Sequence, residues 1–151
     1  IIGGENTAWA FVKFNNSDSV LENIQINGGG VLPEIEDASI VLNHSNLSCK
    51  SCRIWNFRAP GAGFKLVSST LVVVDSIVGM DSKWADPLWP GMSYSVGFKV
   101  FGGELNIDNV NFNKVNYDFD PRWYDNNLPK IKIKNLSPDN YQEVYWKGLL
   151  R

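Results

Sequence analysis

Three short apolar arms recur in the same order four times along this chain, with no sequence identity between the copies. The first arm reads Val12-x-Phe14, Ile40-x-Leu42, Phe64-x-Leu66 and Phe98-x-Val100. The second reads Ser19-x-Leu21, Leu47-x-Cys49, Val72-x-Val74 and Leu105-x-Ile107, and the third Ile24-x-Ile26, Cys52-x-Ile54, Ile77-x-Gly79 and Val110-x-Phe112. Alternation with period two sends successive side chains to opposite faces, which is the signature of a strand. Strand units that repeat at long period cannot each bury an apolar face alone, so they stack into a solenoid.

The spacing of the copies is informative because it is uneven. Ile24 to Cys52 is 28 residues, Cys52 to Ile77 is 25 and Ile77 to Val110 is 33. Within a unit, Phe14 to Ile26, Leu42 to Ile54 and Val100 to Phe112 are each 12. Length therefore varies between the third arm of one unit and the first arm of the next, and loops are expected at 27–39, 55–63, 79–97 and 113–130. The corner between arms two and three reads Glu22-Asn23, Lys50-Ser51, Asp75-Ser76 and Asp108-Asn109. Asn, Asp and Ser tolerate left-handed backbone or bond their own backbone in turns, so Asn23, Ser51, Ser76 and Asn109 are expected to stand in one column.

With these arms and turns, the chain resembles the right-handed parallel β-helix of the pectin-lyase-like superfamily over roughly residues 9 to 133. Its short Asn-rich rungs and aromatic-laden loops are most similar to phage tailspikes and related surface-polysaccharide depolymerases. The resemblance implies an all-β solenoid of about four to five rungs over residues 1–136. It also implies an extracellular or virion location, a homotrimer, and a polysaccharide that is bound or cleaved. Fold alone does not fix function.

At 151 residues, 44% of them apolar, the chain fits one domain with ample core material. A net charge of −2 argues against a nucleic-acid partner, which needs a basic patch. No apolar run approaches the ~18 residues that would span a bilayer. The sequence opens without an initiator Met or a signal segment, and reads as a piece of something longer whose missing rungs would stack on Phe11 to Phe14. The opening Ile1-Ile2-Gly3-Gly4 resembles the activated N-terminus of trypsin-like proteases. That chemistry needs a His-Asp-Ser set, whereas His44 lies in a polar turn and no Gly-Asp-Ser-Gly stretch exists.

Cys49-x-x-Cys52 alone suggests a redox pair or half a zinc site. In the repeat, Cys49 aligns with Leu21, Val74 and Ile107, and Cys52 with Ile24, Ile77 and Val110, so both occupy inward apolar columns. Packing as small hydrophobes is the preferred reading and a disulfide across the turn the alternative. No metal and no cofactor is expected. At the C-terminal end, Pro129-Lys130-Ile131-Lys132-Ile133 fits a fifth first arm. Ser137-Pro138 then reads as a helix start, with Tyr141, Val144, Tyr145 and Leu149 on one face of a cap or linker over 137–151.

Function is expected in the variable loops, where binding residues concentrate on a rigid scaffold. The two longest hold Trp84, Asp86, Trp89 and Tyr94, and Asp118, Asp120, Arg122, Trp123 and Tyr124. As neighbours at one corner they would offer flat rings for a pyranose face, and Arg and carboxylates for its hydroxyls. Trp84, Trp89, Tyr94, Arg122, Trp123 and Tyr124 are the candidate substrate contacts. Asp86, Asp118 and Asp120 are the candidate acids, because glycoside hydrolysis needs two carboxylates about 5 to 9.5 Å apart. The competing reading packs these tryptophans against the helix or into a subunit interface, which would leave a structural stalk without ligand. A lyase is not assigned, since Arg53 has no acidic cluster aligned beside it.

Overall fold

The computed structural model describes residues 11–28, 38–55, 62–79, 96–113, 117–120, 129–135 and 137–138. Its strands are β1 (Val12–Asn15), β2 (Asp18–Glu22), β3 (Gln25–Asn27), β4 (Ala38–Asn43), β5 (Asn46–Lys50), β6 (Arg53–Trp55), β7 (Ala62–Gly79), β8 (Val96–Asn113), β9 (Tyr117–Asp120), β10 (Lys130–Lys134) and β11 (Ser137–Pro138). They form one curled sheet in which every pairing among the described residues is parallel. The architecture is solenoid-like and all-β.

Register runs straight through the stack. Val12 pairs Ile40, Ile40 pairs Phe64, and Phe64 pairs Phe98; Leu21 pairs Cys49, then Val73, then Ile107, then Ile133. Two backbone columns fix this register. Asn16, His44, Ser68 and Gly102 take positive φ at the first corner, and Asn23, Ser51, Asp75, Asn109 and Asn135 do so at the second. Corner residues of one repeat donate their backbone N–H to the next, as in Asn16 to Asn43 and Asn23 to Lys50, both 3.0 Å. Length varies in the connections from third arm to first arm, across 29–37, 56–61, 80–95 and 114–116, and in the last repeat also between the first arm and the second, across 121–128.

The core fills the space inside the curl. Ile40, Leu42, Phe64, Leu66, Leu71, Phe98, Leu105 and Phe112 are fully buried there. Phe64 and Phe98 stack at 5.3 Å between centroids, and Phe112 meets Phe98 edge-on at 5.7 Å. Such pairs add about 0.5–1.5 kcal/mol to the area they bury.

The third repeat differs from the sequence expectation by one residue. Leu71 and Val73 point inward, not Val72 and Val74, and Val78 is buried while Ile77 is 37% exposed. The run Leu71-Val72-Val73-Val74 is apolar on both faces and has no alternation of its own. The corner residues Ser68 and Asp75 decide the register, and a shift of one flips every side chain. Asp75 therefore takes the left-handed place expected of Ser76, and Ser76 lies buried in the interior column with Cys52 and Val110.

The last repeat differs more. Lys130–Lys134 pairs Glu104–Asp108 and so is a second arm, not a first. The first arm in that repeat is β9, within the stretch expected to be a loop, with Phe119 beside Phe98 and Asp120 beside Lys99. Ser137 and Pro138 pair with Asn111 and Phe112 as a third arm, where a helix start was expected. Residues 139–151, with the rest of that helix, lie outside the described residues. Among the described residues no helix is long and apolar enough to cross a membrane.

Candidate functional site

The outer face of the first arms is the part of the scaffold least like a plain solvated strand surface. Lys13, Val41, Lys65 and Lys99 form one outward column in register, and Asn15, Asn43, Val67 and Phe101 the next but one. Val41 is only 1% exposed although it points away from the main core, and it clusters with Ala38, Ala62 and Phe11. Lys99 is 7% exposed. A lysine is almost never fully buried unless paired, and Lys99 is not without an interaction partner. Asp120 is its strand neighbour. Lys65 lies over the Phe101 ring at 5.8 Å, within the reach of a cation–π contact.

A second cation–π pair stands on the third arms. The Arg53 guanidinium lies 4.4 Å above the Trp55 ring, and the indole is buried although it points outward. Gly79 is its register neighbour.

Three acids of the corners are spoken for. Asp75 Oδ1 accepts from Asn109 at 2.8 Å, Asp108 Oδ1 from Asn135 at 2.9 Å, and Asp18 Oδ1 from Asn46 at 2.7 Å. These are rungs of a polar ladder, and the turn role explains them fully. Glu104 accepts from Lys132 at 2.9 Å and from Asn106 at 3.1 Å. The Lys132 hydrogen bond, then that of Asn106, hold its carboxyl below the ordinary glutamate value. His44 is exposed, with Nδ1 3.0 Å from Asn43 Oδ1, and carries no triad. Cys49 and Cys52 are buried and joined as a disulfide. They combine the packing reading with its alternative. Among the described residues no three His, Cys, Asp or Glu side chains gather as a metal site.

The sequence candidates separate into two places. Asp118 and Asp120 lie on β9 and so belong to a first arm, not to a loop. Trp84, Asp86, Trp89 and Tyr94 fall in the connection 80–95, which leads into Val96 at the start of β8. Arg122, Trp123 and Tyr124 fall in 121–128, which follows Asp120 at the end of β9. All seven lie outside the described residues. The two connections therefore do not share a corner as expected: one precedes the first arm and the other follows it. The lysines and Phe101 between those ends were missed, although a column of Lys13, Lys65 and Lys99 is visible once the repeats are aligned.

Comparison with known proteins finds no matching family model, no matching curated protein and no matching solved structure.

Proposed function

We propose that the chain is a right-handed parallel β-helix of the pectin-lyase-like kind that binds a bacterial surface polysaccharide, as part of a tailspike-like depolymerase or host-recognition protein. The observation that carries this reading is the first-arm face. It is a rigid parallel surface lined by Lys13, Lys65 and Phe101. In sequence, the connection that leads into β8 contains Trp84, Trp89 and Tyr94, and the one that follows β9 contains Arg122, Trp123 and Tyr124. Aromatic rings take the apolar face of a sugar, and cations take its carboxylates and hydroxyls. The setting is extracellular or virion-borne, in a homotrimer.

A second reading, a glycoside hydrolase, rests on one placement. Asp118 and Asp120 are two residues apart on a paired strand, and glycoside hydrolysis uses a pair of carboxylates.

Titration with a panel of capsular and O-antigen oligosaccharides, read by tryptophan fluorescence, tests the binding reading. A saturable change that is lost in a Trp84→Ala, Trp123→Ala double variant supports it. No response across the panel leaves a structural stalk. Turnover lost in Asp118→Asn or Asp120→Asn with binding intact would establish the hydrolase.

A further inference from the structure

The outer face of the second arms carries its charge in an order that reverses about its middle. Leu47, Cys49, Leu71, Val73, Leu105 and Ile107 turn inward, so the alternate residues face out. On β2 these are acidic at Asp18 and Glu22, and on β5 basic at Lys50. The central strand β7 shows no charge and presents Thr70, Val72 and Val74, all half-buried. Beyond it, β8 is acidic at Glu104 and Asp108, and β10 is basic at Lys130, Lys132 and Lys134. Register is continuous across all five layers. Asp18, Thr70, Glu104 and Lys130 share one column, and Glu22, Lys50, Asp108 and Lys134 share another.

A patch binds a second copy of itself only if residue i meets j while j meets i. Two sheets that face each other pack about 10 Å apart with their strands nearly aligned. The twofold axis then lies in the plane between them, along the strands or along the stack. An axis along β7 sets β2 over β10 of the second copy and β5 over β8. Asp18 then meets Lys130, Glu22 meets Lys134 and Lys50 meets Asp108, each pair occurring twice. Val72 and Val74 meet their own counterparts on the axis. Val20, 65% exposed, meets Lys132. The Lys132 amine is held by Glu104 of its own chain at 2.9 Å, and its aliphatic stem is free to cover apolar surface. An axis along the stack does the opposite. It sets Asp18 over Glu22, Glu104 over Asp108 and Lys130 over Lys134, and like charges repel. Charge thus selects one of the two arrangements and rejects the other.

We propose that the second-arm face is a self-association surface, on which two copies of this chain pair about a twofold along β7 with their stacks antiparallel. The face runs along the side of the stack, and layers added at either end would lengthen it without changing these pairs. It measures roughly 24 Å by 17 Å, which places it among weak, reversible contacts. The surface is independent of the glycan reading and leaves the first-arm and third-arm faces to the threefold contact of that reading.

Sedimentation of the full chain is measured from micromolar to millimolar concentration. The mass present at the lowest concentration should double, and added salt should oppose the doubling. Lys130→Glu and Asp18→Lys should each weaken it about tenfold, since each turns two attractive pairs per dimer repulsive. Asp18→Asn, milder toward the fold, should weaken it about threefold. An equimolar mixture of Lys130→Glu and Asp18→Lys should restore the doubling, because the two substituted positions face each other. A mixture of Lys130→Glu with Glu22→Lys should not, although the charges are the same, because Glu22 faces Lys134. Absence of doubling up to millimolar protein leaves the face to another partner and overturns the proposal. Doubling that ignores the single substitutions, or that both mixtures restore equally, also overturns it.

Discussion

Asn16, His44, Ser68 and Gly102 share a left-handed backbone although their side chains have nothing in common. What the position demands is a φ near +50° to +80°, and each residue supplies it at a different cost. The next residue in each repeat is more constrained. Ser17, Ser45 and Ser69 give way to Gly103, where φ is +95° and an added Cβ would overlap the Ser69 carbonyl oxygen. Gly103→Ala should therefore destabilise through backbone strain of about 1–3 kcal/mol together with displacement of the Ser69 backbone. In urea unfolding the midpoint falls while the m-value holds; an unchanged midpoint would show that the two strands are not held this close. Glu104 makes a pH-dependent contribution. Its carboxyl is held below the ordinary 4.5 by Lys132 first and Asn106 second. A depressed folded-state pKa stabilises above the unfolded value and is lost as pH falls through the folded one. The gap in melting temperature between the parent and Glu104→Gln should be full at pH 7 and close in acid below 4.5. A gap that persists at pH 2 would mean that packing, not charge, separates the two proteins.

Among the elements, β7 and β8 run through three arms each, with the same left-handed corners as the shorter strands. At every corner the positive-φ residue drops out of the pairing, Ser68 beside Gly102 and Asp75 beside Asn109 included, while β7 and β8 continue on either side of it. The sequence made the arms legible wherever polar residues alternate with apolar ones, as in Lys13-Phe14-Asn15 or Asn46-Leu47-Ser48-Cys49. It failed at Leu71 to Val74, where both faces are apolar and only the corners carry register. It failed again at β10, because Lys-Ile-Lys-Ile-Lys alternates equally well as a first or second arm, and pairing with Glu104–Asp108 decides which. Ser137-Pro138 satisfies a helix start locally, yet Asn111 and Phe112 offer it a strand partner, and tertiary pairing outweighs a local cap preference. The Cys49–Cys52 bridge closes the corner between β5 and β6 at a separation of 3 residues. A loop that short limits the entropic gain to about 2 kcal/mol. Reductant should lower the unfolding free energy by that order and leave the fold intact, since both sulfurs already fill interior columns. Complete loss of far-ultraviolet strand signal on reduction would show that the bridge, and not the core, holds the corner.

For the whole molecule, the question is how a uniform stack acquires a distinctive face. Of the three outer faces, that of the second arms is largely solvated: its outward positions include Asp18, Val20, Glu22, Asn46, Lys50 and Lys132, all exposed. The first-arm face instead buries Val41 and Lys99 and partly covers Lys65 beside Phe101. The glycan reading places anionic sugar along this column, and the column makes that reading quantitative. Lys13 is exposed and Lys65 half-buried, so each ion pair to a sugar carboxylate is worth about 0.2–1 kcal/mol, or roughly 1.5- to 5-fold in affinity. Lys13→Gln and Lys65→Gln should each weaken an acidic oligosaccharide by that factor and leave its neutral, reduced counterpart unaffected. Lys99 is excluded from this series because replacing a buried lysine perturbs the strand itself. Added salt should act in the same direction, since a Debye length of about 10 Å at 0.1 M contracts to about 3 Å at 1 M. Isothermal titration of the acidic and neutral sugars at both ionic strengths separates the contributions. A salt response shared by both sugars would place the binding outside the lysine column and leave only the aromatic connections to account for it.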